Sequence, residues 1–188
     1  MKPMKTTIRV LHAVCLLSLA CAAVRLQAQA TADQVKAAYL YNFGRYVRWP
    51  VDAASDDPSF AICVFSQDPL ETTLKTAAAG EELQGRAVTV QRVASAQEAA
   101  GCRILFIGAK QTAHLHSLLA GLDRSAVLTV SDIPGFLEQG GMIQFVLGRD
   151  NMRFKVDLSN ISRVRLVMSS ELLKVAAAVQ GSVPPGGE

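Results

Sequence analysis

Beyond its first thirty residues the chain has two histidines and two cysteines, and side-chain chemistry is sought there first. His114 and His116 stand two apart in a segment whose apolar spacing predicts a helix over 111–122. On a helix that spacing turns the rings about 200° apart, so they do not share a metal ion and read as surface histidines. Cys63 and Cys102 lack the close C-x-x-C spacing of a redox-active dithiol. No G-x-S-x-G elbow, P-loop or H-E-x-x-H occurs. What remains is a set of turns: Ser66-Gln67-Asp68-Pro69, Gly108-Ala109-Lys110-Gln111 and Ser131-Asp132-Ile133-Pro134-Gly135. Ser66, Lys110, Ser131 and Asp132 would suit a small polar ligand, and they serve equally well as ordinary turn and capping residues. Both readings stand at this point, and any residual enzymatic role would fall to Asp132 or Lys110.

Those turns matter because of the elements before them. Residues 59–65 form a nearly unbroken apolar run, as do 104–107 and 126–130, which suits strands buried on both faces. Helical patterns at 69–79, 96–100 and 111–122 separate them, with an alternating strand at 88–93. The alternation predicts an α/β fold: a mostly parallel sheet with helices on both faces, whose ligands bind where the strands end. The pattern then changes. Strands at 142–147 and 152–158, joined through Gly148-Arg149-Asp150-Asn151, predict a C-terminal antiparallel hairpin, with Met152, Phe154, Val156 and Leu158 facing inward. Gly140-Gly141 ahead of it reads as a tight turn needing positive φ. A final helix is expected over 170–179, capped by Ser169 or Ser170 and ended by Gly181.

The first thirty residues differ from the rest. Lys2, Lys5 and Arg9 precede an apolar run over 10–24, and Ala28-Gln29-Ala30 follows, which is the order of a secretory signal peptide. The run falls short of the roughly 20 residues of a membrane-spanning helix. Cleavage near Ala30 would leave one domain over 31–182 and a Pro/Gly tail over 183–188 that reads as disordered. Cys21 offers a rival reading as a lipoprotein cysteine. Four of the 19 Lys and Arg lie in this leader and none of the 16 acids do, so its removal takes the net charge from +3 to −1. The remaining domain lacks the basic stripe of a nucleic-acid binder. Cleavage also removes Cys15 and Cys21, and two cysteines left in an exported protein read first as a disulfide, here Cys63 with Cys102.

At the start of the domain, Val35, Ala38, Tyr39, Phe43, Tyr46 and Val47 recur at helical spacing over 32–49, with Thr31 or Asp33 as the cap. Beside these aromatics run Asn42, Arg45, Arg48 and Trp49, and a single Trp at a helix end often packs into a contact site. Near the other end, Ile161-Ser162-Arg163-Val164-Arg165-Leu166-Val167-Met168 alternates large apolar residues with arginines. It reads either as an exposed contact surface or as a connector packed under the last helix.

Three segments taken together resemble the YfiR family of periplasmic regulators. Lys36-Ala37-Ala38-Tyr39-Leu40-Tyr41-Asn42-Phe43-Gly44-Arg45-Tyr46-Val47-Arg48-Trp49-Pro50 is similar to its opening helix. Gly140-Gly141-Met142-Ile143 with Arg153-Phe154-Lys155-Val156-Asp157-Leu158 resembles its hairpin, and Ser169-Ser170-Glu171-Leu172-Leu173 its last helix. The resemblance spans essentially the whole domain. It implies a protein without catalysis of its own, a cofactor-free repressor that binds the periplasmic sensor region of an inner-membrane diguanylate cyclase of the YfiN type, lowering cyclic-di-GMP synthesis and biofilm formation. An outer-membrane lipoprotein of the YfiB type is the implied sequestering partner, and a homodimer the expected assembly. The expected partner-binding residues are Arg163, Val164, Leu166, Val167, Arg45 and Trp49. A second disulfide that the resemblance implies near the hairpin has no cysteines here. The competing class is a periplasmic small-ligand sensor using the crevice of Ser66, Lys110, Ser131 and Asp132.

Overall fold

The computed structural model describes residues 30–50, 58–148 and 151–182. Residues 1–29, on which the expected signal peptide falls, the turn residues Arg149 and Asp150, and the expected tail over 183–188 lie outside the described residues.

The domain begins with helix α1, Ala32–Tyr46. Thr31 caps it in a reciprocal box: the Thr31 hydroxyl accepts from the Gln34 N–H at 3.2 Å, and the Gln34 side-chain oxygen accepts from the Thr31 N–H at 2.8 Å. The helix stops three residues before the expected end, because Val47 and Arg48 turn extended as strand β1. Its buried side is Ala37, Leu40, Phe43 and Gly44, while Ala38 and Tyr46, expected inside, are exposed. Gly44 permits a close approach: a Cβ there would lie 2.5 Å from Leu83 Cδ1. The same spot is tied by the Gln84 amide, which donates to Gly44 O and Val47 O, both at 3.0 Å.

The elements that follow are β2 (Ser59–Phe65), α2 (Leu70–Ala77), β3 (Glu82–Leu83), β4 (Arg86–Val93), α3 (Ala96–Ala99) and β5 (Ile104–Ile107). A 3-10 turn at Ala109–His114 then leads into α4 (Leu115–Gly121) and β6 (Leu128–Ser131). The hairpin is β7 (Ile143–Leu147) with β8 (Met152–Asp157), followed by α5 (Leu158–Arg163), β9 (Val167–Met168), α6 (Ser170–Val175) and β10 (Ala178–Gln180). The main sheet runs β10-β8-β7-β6-β5-β2-β4-β3. Strands β4, β2, β5, β6 and β7 are parallel, and β8 is antiparallel to β7 with Phe145 opposite Phe154.

Alternation along the strands splits the core in two. Phe60, Ile62, Val64, Ile104, Phe106, Leu128 and Val130 face α1 and α2. Ala61, Cys63, Phe65, Leu105 and Ile107 face the other side, against Leu115 and Leu118 of α4. The expected two-faced α/β sheet with a C-terminal hairpin is therefore what forms. Tyr39 and Phe43 of α1 pack on the hairpin, both edge-to-face with Phe154, the Phe43 and Phe154 ring centroids lying 5.1 Å apart, while Phe43 stacks on Phe145.

Two segments differ from expectation. Leu158, expected as the last inward residue of β8, begins α5, because Asp157 caps a new helix by accepting from the Asn160 N–H at 3.0 Å. The final helix ends at Val175, four residues early: Ala176 is extended, and the Ala177 N–H donates to Phe154 O at 2.7 Å. From there β10 runs parallel to β8. The backbone groups along β8 need partners, and pairing with them outweighs the helical preference of Ala176-Ala177-Ala178. Gly140 takes the positive φ expected of it, +97°.

Candidate functional site

Chemistry in a sheet of this kind is sought first at the carboxyl ends of β2 and β5. The chain leaves β2 for α2 on one face and β5 for α4 on the other, and such a divergence opens a crevice in doubly wound sheets. Here α1 closes it. The Lys36 ammonium lies 2.6 Å from the Asp132 carboxylate, 3.9 Å from Asp33, and 5.6 Å from the centre of the Phe106 ring. Lys36 Nζ is the partner of Asp132 Oδ2, whereas the buried Oδ1 has no hydrogen-bond partner among the described residues. Asp68 accepts from the Leu70 N–H at 2.9 Å, and its carboxylate abuts Gly108 so closely that a Cβ there would collide with it.

Of the four residues expected to line this crevice, Ser131 is fully buried as the last residue of β6. Its hydroxyl donates to Ile107 O at 2.6 Å, tying the ends of β6 and β5, and accepts from the Ile133 N–H at 2.9 Å, holding the turn that follows. Asp132 is engaged by Lys36. Ser66 takes a left-handed φ of +61°, and its N–H donates to Val93 O at 2.8 Å. Lys110 is exposed on the 3-10 turn. Lys36 was not legible as a crevice residue, since only the tertiary position of α1 brings it there.

The expected contact segment is placed differently from its sequence pattern. Val164 and Leu166 are buried, at 8% and 3% exposure, whereas Val167 is half exposed. The simple alternation fails because Arg165 is left-handed, with φ +58°, which turns the chain between α5 and β9. Strand β9 pairs antiparallel with β1, placing Val47 opposite Met168 and Arg48 opposite Val167. Val47 and Met168 point into the core; Arg48 and Val167 share the outer face. Tyr46, two residues from Arg48, is 41% exposed, and Arg45 is exposed beside it. Trp49 is half-buried and packs edge-on against Phe60, with centroids 5.3 Å apart. It braces the ribbon from within.

Beside this ribbon is an open cleft of about 190 Å³ between α4 and α5, lined in part by His116, Asp123, Asn160 and Arg163. It adjoins a second hollow of about 380 Å³ between Pro50, Arg124 and Arg165, and Asp123, Arg163 and Val164 line both. Sequence reasoning missed Asn160 as the partner of Arg163. Their three-residue spacing was the available signal, but residues 158–163 were not expected to be helical.

Cys63 of β2 and Cys102, in the turn entering β5, form a disulfide with Cα atoms 6.0 Å apart. Both are buried, and the bond pins neighbouring strands on the α3–α4 face. A second tie holds α2 to β4: Glu71 takes hydrogen bonds from Lys75 at 2.8 Å and from Arg92 Nε at 2.7 Å. Those two cations hold its carboxyl below the ordinary glutamate range. Among the described residues, no group of His, Cys, Asp and Glu is arranged to hold a metal ion, and no helix is long and apolar enough to cross a membrane.

No curated protein matches the chain. Among solved structures it is similar to a conserved domain protein from Vibrio cholerae O1 biovar El Tor str. N16961, with a TM-score of 0.50 and 9% identity. The match covers 64% of this chain and 55% of that one, and at such identity it speaks to the fold alone. The family described as YfiR/HmsC-like matches residues 33–177, from the first turn of α1 to the end of α6. That family is regulatory rather than catalytic, periplasmic, and tied to diguanylate cyclase signalling. With nearly the whole described domain inside the match, the chain belongs to the YfiR/HmsC-like family.

Proposed function

We propose that this protein is a periplasmic repressor that binds the external sensor region of an inner-membrane diguanylate cyclase and lowers its output of cyclic-di-GMP. The observation that carries the reading is the β1–β9 ribbon: Tyr46 and Val167 are exposed beside Arg45 and Arg48, outside a core that holds Val47, Leu166 and Met168. Apolar side chains displayed next to arginines, on a ribbon fixed from behind, suit a contact surface. Arg163 and Val167 remain in the proposed surface, with Arg45. Val164, Leu166 and Trp49 act by supporting it. An outer-membrane lipoprotein of the YfiB type would relieve the repression by competing for the protein, and the working form would be a homodimer. Cleavage of the leader near Ala30 completes the proposal.

The test is a deletion strain complemented with variants. Deletion raises cyclic-di-GMP, wild type restores it, and Val167→Asp at normal protein levels does not. Unchanged cyclic-di-GMP in the deletion strain removes the reading. Full repression by Val167→Asp together with Tyr46→Asp moves the contact away from the ribbon.

A further inference from the structure

The cleft between α4 and α5 is organised around one guanidinium. Arg163 Nη2 donates to Asn160 Oδ1 at 2.8 Å. Asn160 is 7% exposed and cannot turn away, because its amide nitrogen donates to Gly141 O at 2.8 Å and Leu137 O at 3.3 Å. An arginine held through a fixed amide oxygen has its fork pre-aimed, which lowers the ordering cost of taking a planar partner. Its present anion is a loose one. Asp123 Oδ1 lies 3.6 Å from Arg163 Nη1, and both side chains are more than half exposed. An ion pair of that kind contributes little and is readily exchanged. Behind the pair, Leu122, Met142 and Val164 are buried residues that give the cleft an apolar wall. The volume of about 190 Å³ corresponds to about six water molecules.

We propose that this cleft is a binding site for a carboxylate carrying a short apolar tail, with Arg163 as the anchor and Asp123 as the internal competitor that the ligand displaces. The carboxylate takes a two-pronged grip on the guanidinium, and the tail lies against Met142 and Val164. Two sources present this chemistry: a free small carboxylic acid, or a glutamate side chain at the tip of a protein segment. The cleft shares Arg163 with the contact surface proposed above, but its ligand binding is read on the purified protein alone and does not depend on a cyclase contact.

The full mature protein is titrated by calorimetry and followed by thermal unfolding with three probes: isovalerate, its neutral isostere isovaleramide, and a capped glutamyl tripeptide. Isovalerate or the peptide binds and raises the melting temperature, and isovaleramide does neither. Binding by the acid alone identifies a free acid as the source, and binding by the peptide alone identifies a protein segment. Arg163→Gln weakens the binding probe at least tenfold, and Asp123→Asn, by removing the competitor, tightens it about two- to fivefold. Arg163→Lys keeps the charge but not the fork and recovers only part of the affinity. Equal binding by wild type and Arg163→Gln, weaker binding by a folded Asp123→Asn, or no binding of isovalerate and the peptide overturns the proposal. Because every readout is made on the purified protein, failure here leaves the cyclase reading untouched, and failure of that reading leaves this one standing.

Discussion

The Lys36 ammonium and the Asp132 carboxylate meet at 2.6 Å across the end of the parallel sheet, joining α1 to the turn after β6. Their side chains are 13% and 25% exposed, so the pair is partly desolvated. Removing one partner strands the other. Lys36→Met is expected to cost about 1–3 kcal/mol, less than the loss for a fully buried pair, and adding Asp132→Asn should return part of it. Denaturant unfolding of the two single variants and the double variant checks the coupling; strictly additive losses would show that the contact adds nothing.

The Cys63–Cys102 bond closes a loop with a sequence separation of 39. By chain entropy, a loop of that length contributes about 4 kcal/mol, and Cys63→Ser is expected to lower stability by about 2–5 kcal/mol. Unfolding of the wild type with and without reductant should show a loss of the same order. A variant as stable as the wild type would refute the structural role of the bond.

Burial of Leu166 against exposure of Val167 gives a paired comparison. Leu166→Ala opens the core beneath β9 and should cost about 2–5 kcal/mol, whereas Val167→Ala should stay within about 0.5 kcal/mol. Chemical denaturation of both decides it. Asp at Leu166 is a folding mutation for the same reason and is unsuitable as a probe of partner contact.

These neighbours also show what the sequence conceals. A buried strand announces itself through local composition, which is why 59–65 and 104–107 were legible, whereas the cap of α1 stood open between Thr31 and Asp33 until the Thr31–Gln34 box decided it. The stretch 161–168 was not legible, because one left-handed residue, Arg165, breaks the alternation and nothing about an arginine signals that backbone state. Likewise β10 follows from the unpaired edge of β8, a tertiary circumstance that overrides three consecutive alanines. Of the candidate crevice, the turns were visible in advance. The lysine that fills it was not, since it lies 96 residues away from Asp132.

Acid sensitivity follows from Glu71. Its carboxyl is held low by hydrogen bonds from Lys75 and Arg92, so the folded state binds its proton less readily than the unfolded chain does. The stabilisation is present above the ordinary glutamate range and fades as the pH falls through the lowered folded value. Glu71→Gln is therefore expected to lower stability near neutral pH and to flatten its decline in acid. Unfolding curves collected from pH 7 to pH 3 measure both effects, and parallel profiles for wild type and variant would exclude the linkage.

Strand β10 makes a separate prediction. Ala177→Pro removes the N–H that donates to Phe154 O and should cost about 3 kcal/mol or free the strand from the sheet. Amide hydrogen exchange would then show lost protection at residues 178–180, with β2 and β5 unchanged. Retained protection there would mean the pairing does not depend on that bond.

The aromatic stack of α1 on the hairpin has a consequence for how the chain is born. Phe43 rests on Phe145 and Phe154, which the ribosome adds about 100 residues later, so these long-range contacts make folding slow and late. Until that point the nascent segment carries a greasy, unsheltered face. Whatever escorts the emerging polypeptide must cover Tyr39 and Phe43 first, and can let go only when the hairpin arrives to relieve it.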